Sequence, residues 1–151
     1  AHDALQRLRD ACHADFLWQP ADGDLPLWLL KSGDARTVAQ RLSCDQHLAG
    51  DGHFSLGMVA DFGESLQAFG PSFYRQLFWE AGMVGQVLYL QAEASGVRGT
   101  GIGCFFDDPV HDLLGLHGHA FQSLYHFAVG RPLEDSRLTS EPGYAWEHPG
   151  P

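Results

Sequence analysis

The chain has 151 residues, a length that suits one domain with a sizeable hydrophobic core. Its 19 acidic residues against 9 Lys and Arg give a formal charge of −10, which argues against nucleic acid or an anionic membrane surface as the main partner. The longest apolar stretch is interrupted by polar residues and the amino end lacks the features of a signal peptide, so we expect neither a membrane span nor a leader.

Three cysteines, Cys12, Cys44 and Cys104, lie far apart in the sequence. Their odd number and wide spacing match neither a disulfide framework nor a zinc ribbon. We therefore expect reduced, partly buried thiols in a cytoplasmic protein.

The first third of the chain predicts two helices and a strand. Apolar residues at helical spacing indicate a helix over residues 4–17, and residues 25–30 resemble a short buried strand. Asp34 can accept hydrogen bonds from the free N–H groups at the start of a helix over residues 35–43. Residues 45–52 are rich in Asp, Gly and His, which predicts a loop.

The middle of the chain predicts the longest element. Residues 53–62 are mostly apolar and suit a strand covered on both faces, and residues 63–69 suit a short helix. Residues 72–95 predict a long helix with apolar residues on several faces. Such a helix is central to its domain, or is buried in part by a second subunit.

Two glycines inside the long helix, Gly82 and Gly85, each cost about 1 kcal/mol relative to Ala. That cost is understandable if another backbone or a flat ligand comes close.

A cluster of glycines follows this helix: Gly96, Gly99, Gly101 and Gly103. Gly96 predicts the end of the helix. The other three alternate and precede an apparent strand, whereas a dinucleotide-binding loop needs G-x-G-x-x-G after a strand and before a helix. We therefore expect a turn with a different role.

The last third predicts a strand over residues 102–106, a helix beginning at Asp108 and a strand over residues 120–129. The tail from Gly130 is rich in proline. The resulting order α-β-α-β-α-α-β-α-β predicts an α+β fold, with a mixed sheet flanked by helices and a long central helix.

Few side chains suggest catalysis. His117 and His119 form the tightest histidine pair, but no nearby carboxylate or thiol completes a metal site, so solvated loop histidines are favoured. His111 lies in the first turn of a predicted helix, where we expect it at the surface. Cys104 has no activating histidine at a recognisable spacing. We name no catalytic residue and no metal ligand.

One long segment resembles the nitroreductase family. Residues 73–108 read FYRQLFWEAGMVGQVLYLQAEASGVRGTGIGCFFDD, and they are followed by VHDLLGL and LYHFAVGRPLEDSRL. These stretches are similar to the family's long helix with an E-A-G segment, its G-x-G turn, its F-D-D helix start, its last strand and its arginine-bearing tail. The likeness is to the SagB-type dehydrogenase branch, and it is specific over about residues 53–140.

The resemblance implies FMN bound between two subunits by a nitroreductase-like α+β fold, with Gly82 and Gly85 of the long helix at the interface between the subunits. It places Gly101, Ile102, Gly103 and Cys104 along the flavin edge, where glycine lets backbone N–H groups approach the ring. It also makes Arg137 a candidate for the FMN phosphate, with a solvated tail charge as the alternative.

One family feature is not found. The basic R-R-S-x-R-type segment that grips the flavin phosphate has no counterpart at the amino end, so residues 1–151 resemble the carboxy-terminal part of the family's domain, a single domain that lacks this segment. Two hypotheses stay open. The chain is an FMN-dependent oxidoreductase for a small-molecule or peptide substrate, working as a homodimer or with a partner chain that supplies the segment. Alternatively, it is a flavin-free subunit that serves dimerisation or partner binding.

Overall fold

The computed structural model describes residues 2–21, 23–139 and 143–144. The α-helices are α1 (His2–Ala11), α2 (Arg36–Leu42), α3 (His47–Asp51), α4 (Phe62–Phe69), α5 (Tyr74–Ala94) and α6 (Asp107–Leu114), with a 3₁₀ turn at Pro71–Phe73. The strands are β1 (Gln19–Pro20), β2 (Trp28–Leu29), β3 (Phe54–Asp61), β4 (Arg98–Ile102) and β5 (Phe121–Gly130).

The main sheet has the order β3-β5-β4, so the last strand in sequence lies in the middle. Phe54 pairs with Val129 on one side of β5, and Ile102 pairs with His126 on the other. The α+β class is confirmed. We expected a mixed sheet, whereas the pairings among the described strands, including the small β1-β2 sheet, are all antiparallel.

The long helix α5 covers one face of this sheet. Leu77 and Ala81 pack on Leu124, and further along Ala92 packs with Phe127 and Val129. The other face carries a smaller cluster of Ala49, Ile102 and Ala128, with Ala39 of α2 against it. Helix α5 is therefore the principal packing partner of the central strand.

Gly85 lies on the sheet-facing side of α5. A Cβ atom built there would come within 2.8 Å of Cε1 of Tyr125 on β5, so only glycine leaves room for that ring. The prediction that Gly85 faces a partner subunit is wrong for this reason. Gly82, by contrast, is exposed and has open space around it.

Three other predictions from local sequence differ from the structure. Residues 45–52, expected as a loop, contain the short helix α3. The strand expected over residues 102–106 is β4, which spans Arg98–Ile102, so Gly99 and Gly101 lie within the strand. The strand expected over residues 25–30 is reduced to β2. Glycine is depleted in strands, which explains why the β4 pattern pointed to a turn.

Helix ends follow their local signals. Gly96 has a φ of 72°, and the N–H of Val97 donates to the carbonyl of Ala92 at 3.0 Å, which closes α5. At the start of α2, the Asp34 carboxylate accepts from the N–H of Arg36 at 3.0 Å. Hydrogen bonds from the Arg36 side chain and backbone lower the pKa of Asp34 to about 2.

The expectation of three reduced cysteines is wrong. Cys44 and Cys104 form a disulfide whose Cα atoms are 5.8 Å apart, and Cys12 is the free cysteine. The fold brings the two residues together because the segment after β4 returns to the end of α2, where the N–H of Phe106 donates to the carbonyl of Leu42 at 2.9 Å. Sequence spacing does not reveal such a long-range approach.

Among the residues that the structure describes, no helix is both long and apolar enough to cross a membrane.

Candidate functional site

Two of the clustered glycines make room for aromatic rings of the same chain. A Cβ at Gly99 would come within 2.7 Å of the Phe127 ring, and one at Gly101 would overlap the hydroxyl of Tyr125. The N–H of Gly101 donates to the hydroxyl of Tyr89 at 2.6 Å. Gly99 and Gly101 therefore let three aromatic side chains, from α5 and β5, pack against the edge strand.

Gly103 has different surroundings. It lies just beyond the end of β4, and a Cβ there would meet nothing within 4 Å. It opens onto a cleft of about 750 Å³, a size within the range of ligand sites. The lining is largely aromatic, with a few polar groups: Phe62, Tyr74, Phe78, Gly103, Phe105, Asp107, His119, Gln122, Ser123, Leu124 and Tyr125.

The charge of this cleft is slightly negative. Asp107 is the carboxylate among its lining residues, and its Oδ2 accepts from Nε2 of Gln122 at 3.3 Å. The described lining includes no Lys or Arg. Burial, together with the neighbouring Tyr89, raises the pKa of Tyr125, so its phenol stays protonated at neutral pH. These groups suit a flat, largely apolar ligand better than a phosphate.

A buried polar network supports the cleft from behind. The Phe105 ring stacks on His126 with centroids 4.3 Å apart, and Nε2 of His126 lies 3.2 Å from the Ser123 hydroxyl. The N–H of Ser123 donates to Nε2 of His111 at 3.3 Å. His111 is buried, so its expected surface position is wrong. Burial lowers the pKa of His126, which favours a neutral ring.

The structure keeps four of the predicted site residues together and separates the fifth. Gly101, Ile102, Gly103 and Cys104 are consecutive, but Ile102 is buried in the core and the Cys104 sulfur is in the disulfide. Arg137 lies in the segment after β5 and forms a bidentate ion pair with Asp135, with N–O distances of 2.6 to 3.1 Å. It is not among the residues that line the cleft.

Sequence reasoning missed the aromatic walls of this cleft. Phe62 and Tyr74 meet edge to face at 5.9 Å, and Tyr74 and Phe78 lie 5.0 Å apart. Tyr74 and Phe78 are exposed and belong to the predicted helix with apolar residues on several faces, whereas Phe62 ends the predicted strand over residues 53–62. The available signal was the concentration of aromatic residues immediately before and within the first turns of that helix.

His117 and His119 were considered as metal ligands. His119 lines the cleft, but within the described part of the chain no group of three or more His, Cys, Asp or Glu side chains could hold a metal ion.

Two solved structures resemble this fold. A candidate nitroreductase from Anabaena variabilis ATCC 29413 has a crystal structure that matches 71% of the chain at 30% identity, with a TM-score of 0.66. The chain spans only 22% of that protein. A candidate NAD(P)H:FMN oxidoreductase from Staphylococcus epidermidis ATCC 12228 shares the fold, with a TM-score of 0.52 at 12% identity over 94% of this chain and 82% of its own. Among curated proteins, none matches significantly.

The sequence profile of the Nitroreductase family matches residues 3–131, which include all of α1 except His2, helices α2 to α6 and all five described strands. This match covers the glycine-bearing strand and the elements that build the cleft. The chain thus belongs to the nitroreductase family.

Proposed function

We propose that the chain is an FMN-dependent oxidoreductase of the SagB-type dehydrogenase branch, with the flavin bound in the cleft beside Gly103. The observation that carries this proposal is the cleft itself, which is about 750 Å³ in volume, has a largely aromatic lining, and is bordered by Gly103, where a Cβ would meet no neighbour within 4 Å. The SagB-type assignment rests on the resemblance of residues 73–108 and the stretches that follow.

The residues of the cleft fit the ring system of a flavin. A flat tricyclic ring needs apolar walls and a backbone without a projecting side chain, and Phe105, Tyr125 and Gly103 offer these. When bound, the flavin supplies hydride transfer, and the protein supplies orientation and exclusion of water. We propose that backbone groups of Gly101, Ile102, Gly103 and Cys104 face the flavin edge, although the N–H of Gly101 is already donated to Tyr89.

The phosphate of FMN needs cations that the cleft lining does not provide. We propose Arg137 for this role, which requires its guanidinium to exchange Asp135 for the phosphate. Its side chain is 86% exposed, so little packing opposes that movement. Further cations would come from a segment supplied by a partner chain.

A homodimer through α5 belongs to the same proposal. Trp79, Met83, Val87 and Leu90 are each more than half exposed and lie at helical spacing on the side of α5 away from the sheet. A contiguous exposed apolar stripe of this kind marks an interaction surface. The start of the same helix contributes Tyr74 and Phe78 to the cleft.

A second function is favoured by the charge of the site. Because the cleft lining contains Asp107 and no Lys or Arg, and Arg137 is already paired, the chain also suits a flavin-free subunit that serves dimerisation or partner binding. If the chain is an oxidoreductase, we propose a small molecule or peptide as its substrate.

We also retain a cytoplasmic location in the proposal. That location requires the Cys44–Cys104 bond to be reversible, because stable disulfides are rare in the cytoplasm.

Flavin titration separates the two functions. We expect the purified chain to bind FMN with a visible absorption band, and Gly103→Val to weaken binding at least about tenfold because the new side chain projects into the cleft. Gly143→Val makes the same change at an exposed glycine that does not line the cleft, and should bind like the wild type. Wild-type protein that retains no flavin absorbance after free FMN is removed would favour the flavin-free subunit.

A further inference from the structure

One wall of the cleft is attached covalently to a segment that is distant in the sequence. Cys104 lies between Gly103 and Phe105, both of which line the cleft, and its sulfur is bonded to Cys44 at the end of α2. The two cysteines are 60 positions apart in sequence. The segment that connects β4 to α6, residues 103–106, is therefore tied to the corner between α2 and α3.

Two hydrogen bonds accompany the disulfide. Nε2 of Gln46 donates to the carbonyl of Cys104 at 3.1 Å, and the N–H of Phe106 donates to the carbonyl of Leu42 at 2.9 Å. The first of these is exposed to solvent, where a hydrogen bond contributes little net stability. The disulfide is thus the strongest of the three links that hold this segment.

The corner that carries Cys44 is conformationally strained. Cys44 and Asp45 are consecutive non-glycine residues with φ of 53° and 57°, in the left-handed region. Such residues persist when the surrounding structure fixes them. Breaking the link to Cys104 removes one of the constraints on this corner.

The bond is accessible to a thiol. Cys104 is an exposed residue and Cys44 is half-buried, so we expect a thiolate to attack the bond at Cys104. Cys12 differs, because it is half-buried and burial raises the pKa of its thiol. It is therefore a poorer thiol nucleophile than an exposed cysteine.

We propose that Cys44–Cys104 is a reversible thiol–disulfide site that controls the wall of the cleft. In the oxidised state the disulfide holds residues 103–106 in place, and in the reduced state this segment is released and the cleft loses its shape. The inference rests on the proposed function only in treating the cleft as the flavin site. The effect on residues 103–106 does not depend on it.

The reductant is a dithiol. One of its thiolates attacks the Cys104 sulfur, forming a mixed disulfide and releasing the Cys44 thiolate, which takes up a proton. The second thiol of the reductant then displaces the Cys104 thiolate. The two electrons that reduce the bond come from the dithiol, which leaves as a cyclic disulfide, and the Cys104 thiolate takes up a proton.

Hydrogen exchange tests the local part of the proposal. The full chain is oxidised in air with a copper catalyst, and peptide mapping without reductant should find Cys44 linked to Cys104. Dithiothreitol should then speed amide exchange in residues 103–106 by about tenfold or more, with a smaller change in β3 and β5. Cys12→Ser should respond like the wild type, and Cys104→Ser and Cys44→Ser should exchange fast in this segment without reductant.

Several results would overturn the proposal. If Cys44 and Cys104 are recovered as separate thiols after oxidation, they do not form the proposed thiol–disulfide site. If residues 103–106 exchange equally fast in the oxidised and reduced states, the disulfide does not hold this segment in place. FMN titration of the oxidised and reduced protein separates this failure from that of the proposed function. Faster exchange on reduction with no FMN binding in either state supports the redox site and counts against the flavin. Equal FMN affinity in both states contradicts control of the cleft.

Discussion

Gly101 and Gly103 are two residues apart and have opposite surroundings. A side chain at Gly101 would overlap Tyr125, whereas one at Gly103 would project into open space. The first glycine is required by packing within the chain, and the second leaves the cleft accessible. The same residue type in the same run therefore has a structural role at one position and, we propose, a binding role at the other.

Alanine substitutions should separate these two roles. Gly101→Ala should lower the free energy of unfolding by about 1–3 kcal/mol, the usual cost of overpacking. Gly103→Ala should leave it nearly unchanged, since its Cβ meets nothing within 4 Å. Urea unfolding followed by circular dichroism measures both. Equal stability of the two variants would contradict the packing described for β4.

His126 should make stability depend on pH. Burial lowers its pKa in the folded protein below the value of 6.5 expected for the unfolded chain. As pH falls below about 6.5 the unfolded state binds more protons than the folded state, so the free energy of unfolding falls, by at most about 1.4 kcal/mol per pH unit. The loss ends below the folded-state pKa.

Urea midpoints at pH 7.5 and 5.5 would measure this dependence. His126→Gln, which cannot be protonated, should reduce the difference, and the exposed His53→Gln should leave it as in the wild type. A pH dependence unaltered by His126→Gln would show that other groups cause it.

Helix α5 has two apolar sides with different partners. One packs on the sheet through Leu77, Ala81 and Ala92, and the other presents Trp79 and Met83 to solvent. Sequence alone predicted that this helix is apolar on several faces. It did not assign Gly85 to the correct face, because that depends on the position of Tyr125, 40 residues later.

Met83→Lys should disrupt the proposed dimer. The substitution places a charge in the middle of the exposed apolar stripe, where burial against a partner would desolvate it. Gln91→Lys adds the same charge at a polar, exposed position of the helix and should have a smaller effect. Sedimentation velocity distinguishes monomer from dimer. A wild-type monomer, or a Met83→Lys dimer as stable as the wild type, would contradict the α5 interface.

Across the whole molecule, the sequence predicts features that depend on neighbouring residues better than contacts between distant segments. The end of α5 before Gly96 and the start of α2 just after Asp34 follow from short-range hydrogen bonds, and the sequence predicts both. The Cys44–Cys104 pair and the aromatic walls of the cleft depend on elements far apart in sequence. The resemblance to nitroreductases pointed to residues 101–104, of which Gly103 lines the cleft, but it did not predict the aromatic walls.

Loss of the disulfide should lower stability of the whole domain. It closes a loop with a sequence separation of 60, and loop-closure entropy gives about 4 kcal/mol for that length, with measured values typically about 2–4 kcal/mol. Cys44→Ser should therefore shift the urea midpoint downward under oxidising conditions. Cys12→Ser, which removes a free thiol, should shift it less. A midpoint unaffected by Cys44→Ser would mean that the bond does not constrain the unfolded chain.

The position of β5 has a consequence for synthesis of the protein. Both β3 and β4 pair only with β5 among the described strands, and β5 is the last of them to leave the ribosome. Neither pairing can form until residues 121–130 have emerged, so β3 waits with its hydrogen-bonding groups unpaired while some 60 further residues are translated. During that interval the nascent chain exposes an apolar strand to other chains, which makes it a natural client for a chaperone.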